Sequence, residues 1–318
     1  MTKPRILVVG SMNMDMVLEI ERMPAAGENL FVKKFSMHPG GKGNNQAIAC
    51  SRLGGIVRMV GKVGNDDFGE RLLINLEQEN VDYCFVFREE LIHTGLAFIF
   101  VEESGENRIL VAPGANMALS CEDLKRAAHL FKSSDFLLLQ LEVPLEVVKK
   151  AINMAHEIGL RVILNPAPAQ PFPLEMLGPR DIITPNKYEA EVLSGIKIEG
   201  IEDAVRAIKL LDERCPSWKV ITLGEMGAVA SYRNDSFLYL HPRKVEVKDT
   251  TAAGDAFNAG LVVGIAQGKE WVEALLLANN AGAIACTKVG AQSALPYLRD
   301  IERFVSENRR GEFEIVNI

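Results

Sequence analysis

The residues best suited to chemistry lie in the run Asp249-Thr250-Thr251-Ala252-Ala253-Gly254-Asp255, followed at once by a helical period through Phe257, Leu261, Val262 and Ile265 that reads as amphipathic. Three small residues before a helix leave the N–H groups of Ala252, Ala253 and Gly254 uncovered, and the helix dipole adds about half a positive charge there. Such a place holds an anion. Asp255 reads either as a cap of that helix or as a carboxylate that takes the proton of a hydroxyl attacking a phosphoryl group. The two roles are compatible.

A second cluster, Pro39-Gly40-Gly41-Lys42-Gly43-Asn44-Asn45-Gln46-Ala47, also sets glycines before a helix. It is not a Walker loop, because Lys42 is followed by Gly43 rather than Ser or Thr, and it is not GxGxxG. It is a structural turn, or a place where a ligand approaches Gly41 closely while Lys42 and Asn45 donate to its hydroxyls. Asn13 and Asp15 follow the first apolar run, residues 6–9. They form an Asx-rich turn or point together into a crevice beyond a strand end. Glu142, Asn186 to Glu189, and the turn from Thr222 to Gly227 each follow another apolar run, and Gly224 and Gly227 are placed to cradle a nucleotide. Taken singly these are weak. Polar or glycine clusters after at least five strands are what one crevice built from many strand ends requires.

The elements that must position these residues alternate. Continuous apolar runs at 6–9, 136–141, 162–164, 182–184 and 220–223 read as strands buried on both faces. Between them lie helical periods, one through Leu145, Val148, Ile152, Ala155 and Ile158 up to Gly159, and others at 204–213 and 256–267. The expected fold is α/β, a mainly parallel sheet with helices on both faces. Short strands at 17–20 and 30–35 break that rhythm, as does the stretch 82–112, where 96–101, a turn at 104–107 and 108–111 read as a hairpin. Helical segments at 43–53 and 68–79 separate the two excursions. The expected organisation is one domain over 1–318 with a small β-sheet lid formed by insertions at about 14–38 and 82–113.

Lysine plus arginine number 35 against 42 aspartate plus glutamate, a net charge of −7. No basic tract offers nucleic acid a footing, so a phosphate ligand must be held by backbone dipoles, placed cations or a metal. Five cysteines without a CxxC pair disfavour a disulfide framework or a zinc knuckle and point to a reducing cytoplasm. No run of 18 apolar residues suits a membrane span.

The combination resembles the ribokinase family of carbohydrate kinases, also called the phosphofructokinase-B type, from residue 6 to about 296. The resemblance rests on PGGKGNNQA with GKVGNDDFG (61–69) and on DTTAAGDAFNAG (249–260); GSMNMD and GGKGNN are similar to the sugar-binding segments of its ribose-phosphorylating members. It implies ATP-dependent transfer of the γ-phosphoryl group to the 5-hydroxyl of D-ribose. Asp255 would be the base and Ala252, Ala253 and Gly254 the anion hole. Asn13, Asp15, Gly41, Lys42, Asn45, Glu142 and Asp255 would hold the sugar, with Asp15 and Glu142 as pure acceptors when ionised.

By the same resemblance, Asn186, Thr222, Gly224 and Gly227 would contact the nucleotide, and Asn279 would lie near the adenine. Glu189 would organise Mg2+ through water. The Asp249 side chain and the carbonyls of Thr251, Ala285, Lys288 and Gly290 would hold K+. Two positions depart from the pattern: Ala256 stands where threonine is frequent, and Ala294 where a serine hydroxyl is common, with Ser293 one residue earlier. Either Ser293 or water substitutes, or activation by K+ is weakened; on the plainer reading Asp249 caps a loop.

The lid would cover the sugar and exclude water, with Ala97 and Ile99 facing the sugar or a second subunit, and lid sheets pairing in a homodimer would protect their edges. Deoxyribose, a nucleoside or another sugar remain alternative substrates. A catalytically silent sugar-binding regulator is an alternative of another class. A dinucleotide oxidoreductase is disfavoured by the absence of GxGxxG after the first strand.

Overall fold

The structure is a computed structural model that describes residues 3–316 apart from 105, 234–235 and 309–311. The chain starts with β1 (Arg5–Val9), then β2 (Asn13–Ile20), β3 (Lys34–Gly40), α1 (Lys42–Arg52), β4 (Ile56–Gly64), α2 (Asp67–Gln78) and β5 (Val81–Glu89). A hairpin of β6 (Gly95–Glu102) and β7 (Asn107–Ala112) leads to α3 (Cys121–Arg126) and α4 (Ala128–Lys132). The α/β rhythm continues with β8 (Phe136–Leu139), α5 (Leu145–Glu157), β9 (Arg161–Leu164), β10 (Ile182–Ile183), α6 (Lys187–Ser194), α7 (Ile201–Arg214) and β11 (Trp218–Thr222). Last come β12 (Ala228–Ser231), β13 (Phe237–Leu240), α8 (Ala253–Ala266), α9 (Trp271–Ala285), α10 (Leu298–Glu307) and β14 (Phe313–Val316).

Ten strands form one sheet in the order β14-β13-β12-β11-β10-β9-β8-β1-β4-β5. It is parallel from β11 to β5 and antiparallel from β11 to β14. Period-two alternation explains the layers: Ile6 and Val8 of β1 bury with α1, α2, α8 and α9, whereas Leu7 and Val9 bury on the opposite face with α3, α4 and α5. A third cluster seals α7 against Ile221 and Val229. The α/β expectation with helices on both faces therefore holds.

A separate four-stranded sheet runs β3-β2-β6-β7. Four expectations about the elements need correction. The strand expected at 30–35 lies at Lys34–Gly40, because β2 pairs residue for residue back from Gly40 while Phe31 is 96% exposed with no partner strand to cover it. The excursion expected over 82–113 is shorter: β5 pairs in parallel with β4 in the large sheet, where Val81 and Val86 enter the core. Helix α8 is not amphipathic. Every residue from Asp255 to Gly264 is buried, because the helix is covered on all sides by the sheet, α1 and α9. The expected elements end too early, because Phe313–Val316, for which none was expected, supplies the antiparallel edge strand β14. The turn expected at 104–107 includes Gly105, outside the described residues; on either side the Glu102 N–H donates to the Glu106 carbonyl.

Helix α1 enters the protein through a crossing of glycines. A Cβ on Gly43 would sit 2.6 Å from the Gly10 carbonyl carbon and from the Ser11 nitrogen, and one on Gly41, at φ 87°, would sit 2.7 Å from the Asn13 nitrogen. The backbones of α1 and the β1–β2 connection thus touch with no room for a methyl group. Gly43→Ala should lower stability by roughly 1–3 kcal/mol despite alanine's better helix propensity. Urea unfolding measures this, and unchanged stability would mean the crossing is slack.

Candidate active site

Residue Ala252 adopts a left-handed conformation, φ 59°, at the entrance to α8. That geometry is uncommon outside glycine and is kept where surrounding structure enforces it. It curls the chain so that the Ala253 N–H donates to the Thr250 carbonyl at 3.2 Å. The expectation of three bare amides is corrected accordingly: among the described residues, the Ala252 and Gly254 N–H groups take no partner, and that of Ala253 closes the turn. Space above Gly254 is open, since a Cβ there would meet no atom within 4 Å.

One turn further on, Asp255 is buried, 7% exposed. Its Oδ2 accepts from Asn45 Nδ2 at 3.0 Å and its Oδ1 from Gln46 Nε2 at 2.9 Å. Burial pushes this carboxyl up from its ordinary range; Lys42 and the two amides pull it down, and Glu142 pushes it up. Asn45 therefore spends its amide N–H on Asp255, and its buried Oδ1 has no partner among the described residues. The second N–H of that amide has no partner among the described residues, so the expected donor role stays open.

Lys42 begins α1, with its ammonium 3.9 Å from Glu142 Oε1 and its side chain 36% exposed. Burial alone would lower this ammonium, but the carboxylates of Glu142, Asp255, Glu189 and Asp15 raise it on balance. Glu142 Oε2 accepts from the Ser11 hydroxyl at 2.5 Å and the Lys42 N–H at 3.3 Å. Asp15 is different. No hydrogen bond reaches its carboxylate among the described residues, and burial, with Glu142 and Asp255 nearby, raises its pKa to about 7 against the pull of Lys42.

Asn13 and Asp15 are the first and third residues of β2, so both project from one face of the small sheet. They do not lie in a loop after β1. Asn116, in the turn after β7, fixes the Asn13 amide. Its Oδ1 accepts from the Met12 N–H at 2.8 Å, so its Nδ2 must turn to Asn13 Oδ1, also at 2.8 Å. That leaves Asn13 Nδ2 as the outward donor.

The residues assigned to nucleotide and cation are engaged differently. Asn186 caps α6: its Oδ1 accepts from the Glu189 N–H at 2.9 Å while both Glu189 carboxylate oxygens accept from Asn186, at 2.8 and 2.9 Å. Burial raises the Glu189 carboxyl, and its field reaches Lys42 and Asp255. Thr222 bridges to Asn186 at the end of β11. Gly224, φ 61°, faces open space, whereas the missing Cβ of Gly227 makes room for the Leu240 carbonyl. Only Gly224 is free to approach a ligand. Asn279 donates to the His241 carbonyl at 2.8 Å.

Asp249 Oδ1 accepts from the Thr251 N–H and hydroxyl at 2.9 and 2.6 Å, and Oδ2 from the Gly290 N–H at 2.8 Å. Burial would raise this carboxyl, but these donors hold it below its ordinary value. It caps two loops. Among the described residues, the carbonyls of Thr251, Ala285, Lys288 and Gly290 accept no hydrogen bond. Ala294 is buried, and the Ser293 hydroxyl donates to the Val289 carbonyl at 2.8 Å.

The structure thus gathers Asn13, Asp15, Lys42, Asn45, Glu142, Glu189 and Asp255 into one charged cleft beside Gly41 and the α8 entrance. Residues that the sequence reading left unassigned support them: Ser11, Gln46, Asn116, Gln140, Asn165, Thr184 and Asn258. A signal existed for Gln140, an amide closing the otherwise apolar run Phe136-Leu137-Leu138-Leu139.

Helices on both faces of a sheet, a small second sheet at its strand ends, and a buried carboxylate beside free amides at a helix N-terminus define an α/β phosphotransferase acting on an alcohol. The chain matches the pfkB family carbohydrate kinases over residues 3–298 and belongs to that family. It is 38% identical to a ribokinase of Haemophilus influenzae over 94% of this chain and 98% of that one. It is 34% identical to a deoxyribokinase of Salmonella typhi over 95% and 99%. The structure of Arabidopsis thaliana ribokinase complexed with ribose and ATP superposes with a TM-score of 0.87 at 27% identity, covering 96% of this chain and 99% of that one. The protein is a carbohydrate kinase, and the oxidoreductase and silent-regulator readings fall away.

Gly254 offers a direct check on the anion hole. Gly254→Ala adds a methyl group that meets no protein atom, so stability should hold or rise by up to about 1 kcal/mol. Turnover should fall roughly ten- to hundredfold, because the methyl group enters the space above the amide. Unchanged kcat would place the transferred group elsewhere.

Proposed function

We propose that this chain transfers the γ-phosphoryl group of ATP to the 5-hydroxyl of D-ribose. The observation that carries the reading is the meeting of buried Asp255 with the free Ala252 and Gly254 amides, opposite a polar cluster suited to hydroxyls. Asn13 Nδ2 and the second amide N–H of Asn45 donate to the sugar, while Asp15 and Glu142 accept from it. Asp255 takes the proton as the 5-hydroxyl attacks phosphorus, and its raised pKa suits it to that transfer. Charge gathering on the phosphoryl oxygens falls to the two amides and the α8 dipole, with the Ala253 turn holding them in place, and Lys42 adds a positive charge nearby.

The nucleotide lies along Asn186, Thr222 and Gly224, with Gly227 shaping that turn and Asn279 toward the adenine. No group of three His, Cys, Asp or Glu able to hold a metal occurs among the described residues. Mg2+ fits as a partner of the triphosphate, neutralising its charge, with Glu189 accepting from a metal-bound water. Asp249 fits K+ by folding back the loops whose carbonyls at Thr251, Ala285, Lys288 and Gly290 remain unpaired. The whole chain acts as one domain, with the small sheet its lid. That sheet exposes Phe35, Ile109, Leu110 and Val111, which supports a homodimer joined through it. Cysteines without a metal-type or disulfide-type spacing favour the cytoplasm. The deoxyribokinase relative keeps deoxyribose as a second substrate reading.

Two measurements test the reading. In an ATP-consumption screen over ribose, deoxyribose, fructose, fructose 6-phosphate, adenosine and cytidine, ribose should give the highest kcat/KM. Asp255→Asn should lower its kcat by roughly two to four orders of magnitude while sugar binding persists; near-normal turnover would end the role of Asp255 as base.

Asp15 supplies a pH dependence. Its raised pKa leaves it largely protonated at pH 6 and ionised at pH 8, and a sugar hydroxyl donates only to a vacant acceptor, favouring the ionised form. The KM for ribose should therefore fall roughly tenfold from pH 6 to pH 8. Asp15→Asn should flatten that profile, and a flat profile in the unaltered enzyme would remove Asp15 from the sugar site.

A further inference from the structure

Gln46 is fully buried and does not face the cleft. It nevertheless joins Asp255 to a chain of amides whose polarity can be traced to a fixed point. The Thr184 carbonyl at the end of β10 can only accept, so Asn165 must give it Nδ2, at 3.1 Å. That turns Asn165 Oδ1 toward Gln46, whose Nε2 donates to it at 3.1 Å. The same nitrogen donates to Asp255 Oδ1 at 2.9 Å, and Gln46 Oε1 accepts from Gln140 Nε2 at 2.5 Å. Both N–H bonds of Gln46 are used, and reversing its amide would set oxygen against oxygen at Asp255 and at Asn165. Thr184 acts on the anion hole as well: its hydroxyl donates to Asn258 Oδ1 at 2.5 Å, and Asn258 Nδ2 holds the Gly254 carbonyl at 2.9 Å.

We propose that Gln46 is a positioning residue that keeps the Asp255 carboxylate ionised and aimed at the reacting hydroxyl, its amide oriented by the Thr184 backbone through Asn165. This rests on Asp255 being the base. A hydrogen bond to the charged form opposes the desolvation of Asp255, so losing it makes the carboxyl harder to ionise. The other charged groups around Asp255 are Lys42 from α1, Glu142 beyond β8, Asp15 from β2 and Glu189 from α6. All of them remain when Gln46 is replaced.

The test compares pH profiles of kcat for the full chain with ribose and ATP. In Gln46→Met, which keeps the volume, the acid limb should move up by about one pH unit or more, because a base that binds its proton more tightly loses activity at higher pH. The ribose KM should change less than about threefold. Gln46→Glu keeps the shape and sets a second carboxyl against Asp255; its acid limb should move at least as far, and this isosteric variant decides the matter should the methionine variant fold poorly. A uniform loss of kcat with the limb in place, in either folded variant, would make Gln46 a packing residue and overturn the proposal. Asp255→Asn measured alongside separates the two layers: near-normal turnover there removes the base itself, whereas inactivity there with an unmoved Gln46 limb removes only the positioning role.

Discussion

Four carboxylates, Asp15, Glu142, Glu189 and Asp255, share one cleft with a single lysine set among them, and the arrangement of the site follows from keeping that cluster tolerable. In a low-dielectric pocket, like charges a few ångströms apart repel strongly unless each has compensating donors. Asp255 has two amide donors and Glu142 has a hydroxyl and a backbone N–H. Asp15 has none among the described residues, and its pKa rises to about 7. Burial is the main cause of that rise, with Glu142 and Asp255 adding to it and Lys42 opposing it. On the proposed reading, a sugar donating hydroxyls to Asp15 would supply the missing donors, so that substrate binding would also complete the charge pattern.

The parts of this arrangement that were legible in the sequence are those that repeat a local rule. Apolar runs bounded by glycine marked the buried strands, and small residues before an apolar period marked the α8 entrance. Strand-end polar residues marked Asn13, Asp15 and Glu142 as lining a crevice. What was not legible depends on partners distant in sequence. Gln46 meets Asn165, Gln140 and Asp255 across separations of 119, 94 and 209 residues, and no spacing rule connects them. The burial of α8 on all sides, the docking of β5 against β4 and the return of β14 to the sheet edge are likewise tertiary outcomes, for which a short alternating segment gives little local sign. Asp249 shows the opposite case: the plain cap reading was available from its position, and its carboxylate does close two loops.

Buried amides are ambiguous as isolated groups, since either end can face either way. Here backbone groups remove the ambiguity at two places. The Met12 N–H orients Asn116 and through it Asn13, so the sugar side presents a donor. The Thr184 carbonyl orients Asn165 and through it Gln46, so Asp255 receives a donor. Main-chain polarity is set by the fold, and each relay carries that polarity to a side chain whose direction matters. Networks of this kind are costly if one member is unpaired, and their fixed ends adjoin strands, Met12 one residue before β2 and Thr184 one residue after β10.

The small sheet and the large one meet at the same residues. In the register of β2, Asn13 faces Gly40 on one side and Gly95 on the other. Both partners are glycine because their missing Cβ positions are filled, by the Asp15 carboxylate beside Gly40 and by the Asn13 and Asn116 amides beside Gly95. Asn13 and Asp15 therefore occupy the root of the small sheet, while Asp255 and the amides of Ala252 and Gly254 belong to the body. Lys42 and Asn45 sit on α1, which starts two residues after β3 ends. A ligand held by Asn13, Asp15, Asn45 and Asp255 together bridges sheet and body. A swing of the small sheet about its root would change the distance from Asn13 and Asp15 to Asp255, so that on the proposed reading closure and alignment of the hydroxyl would be one movement.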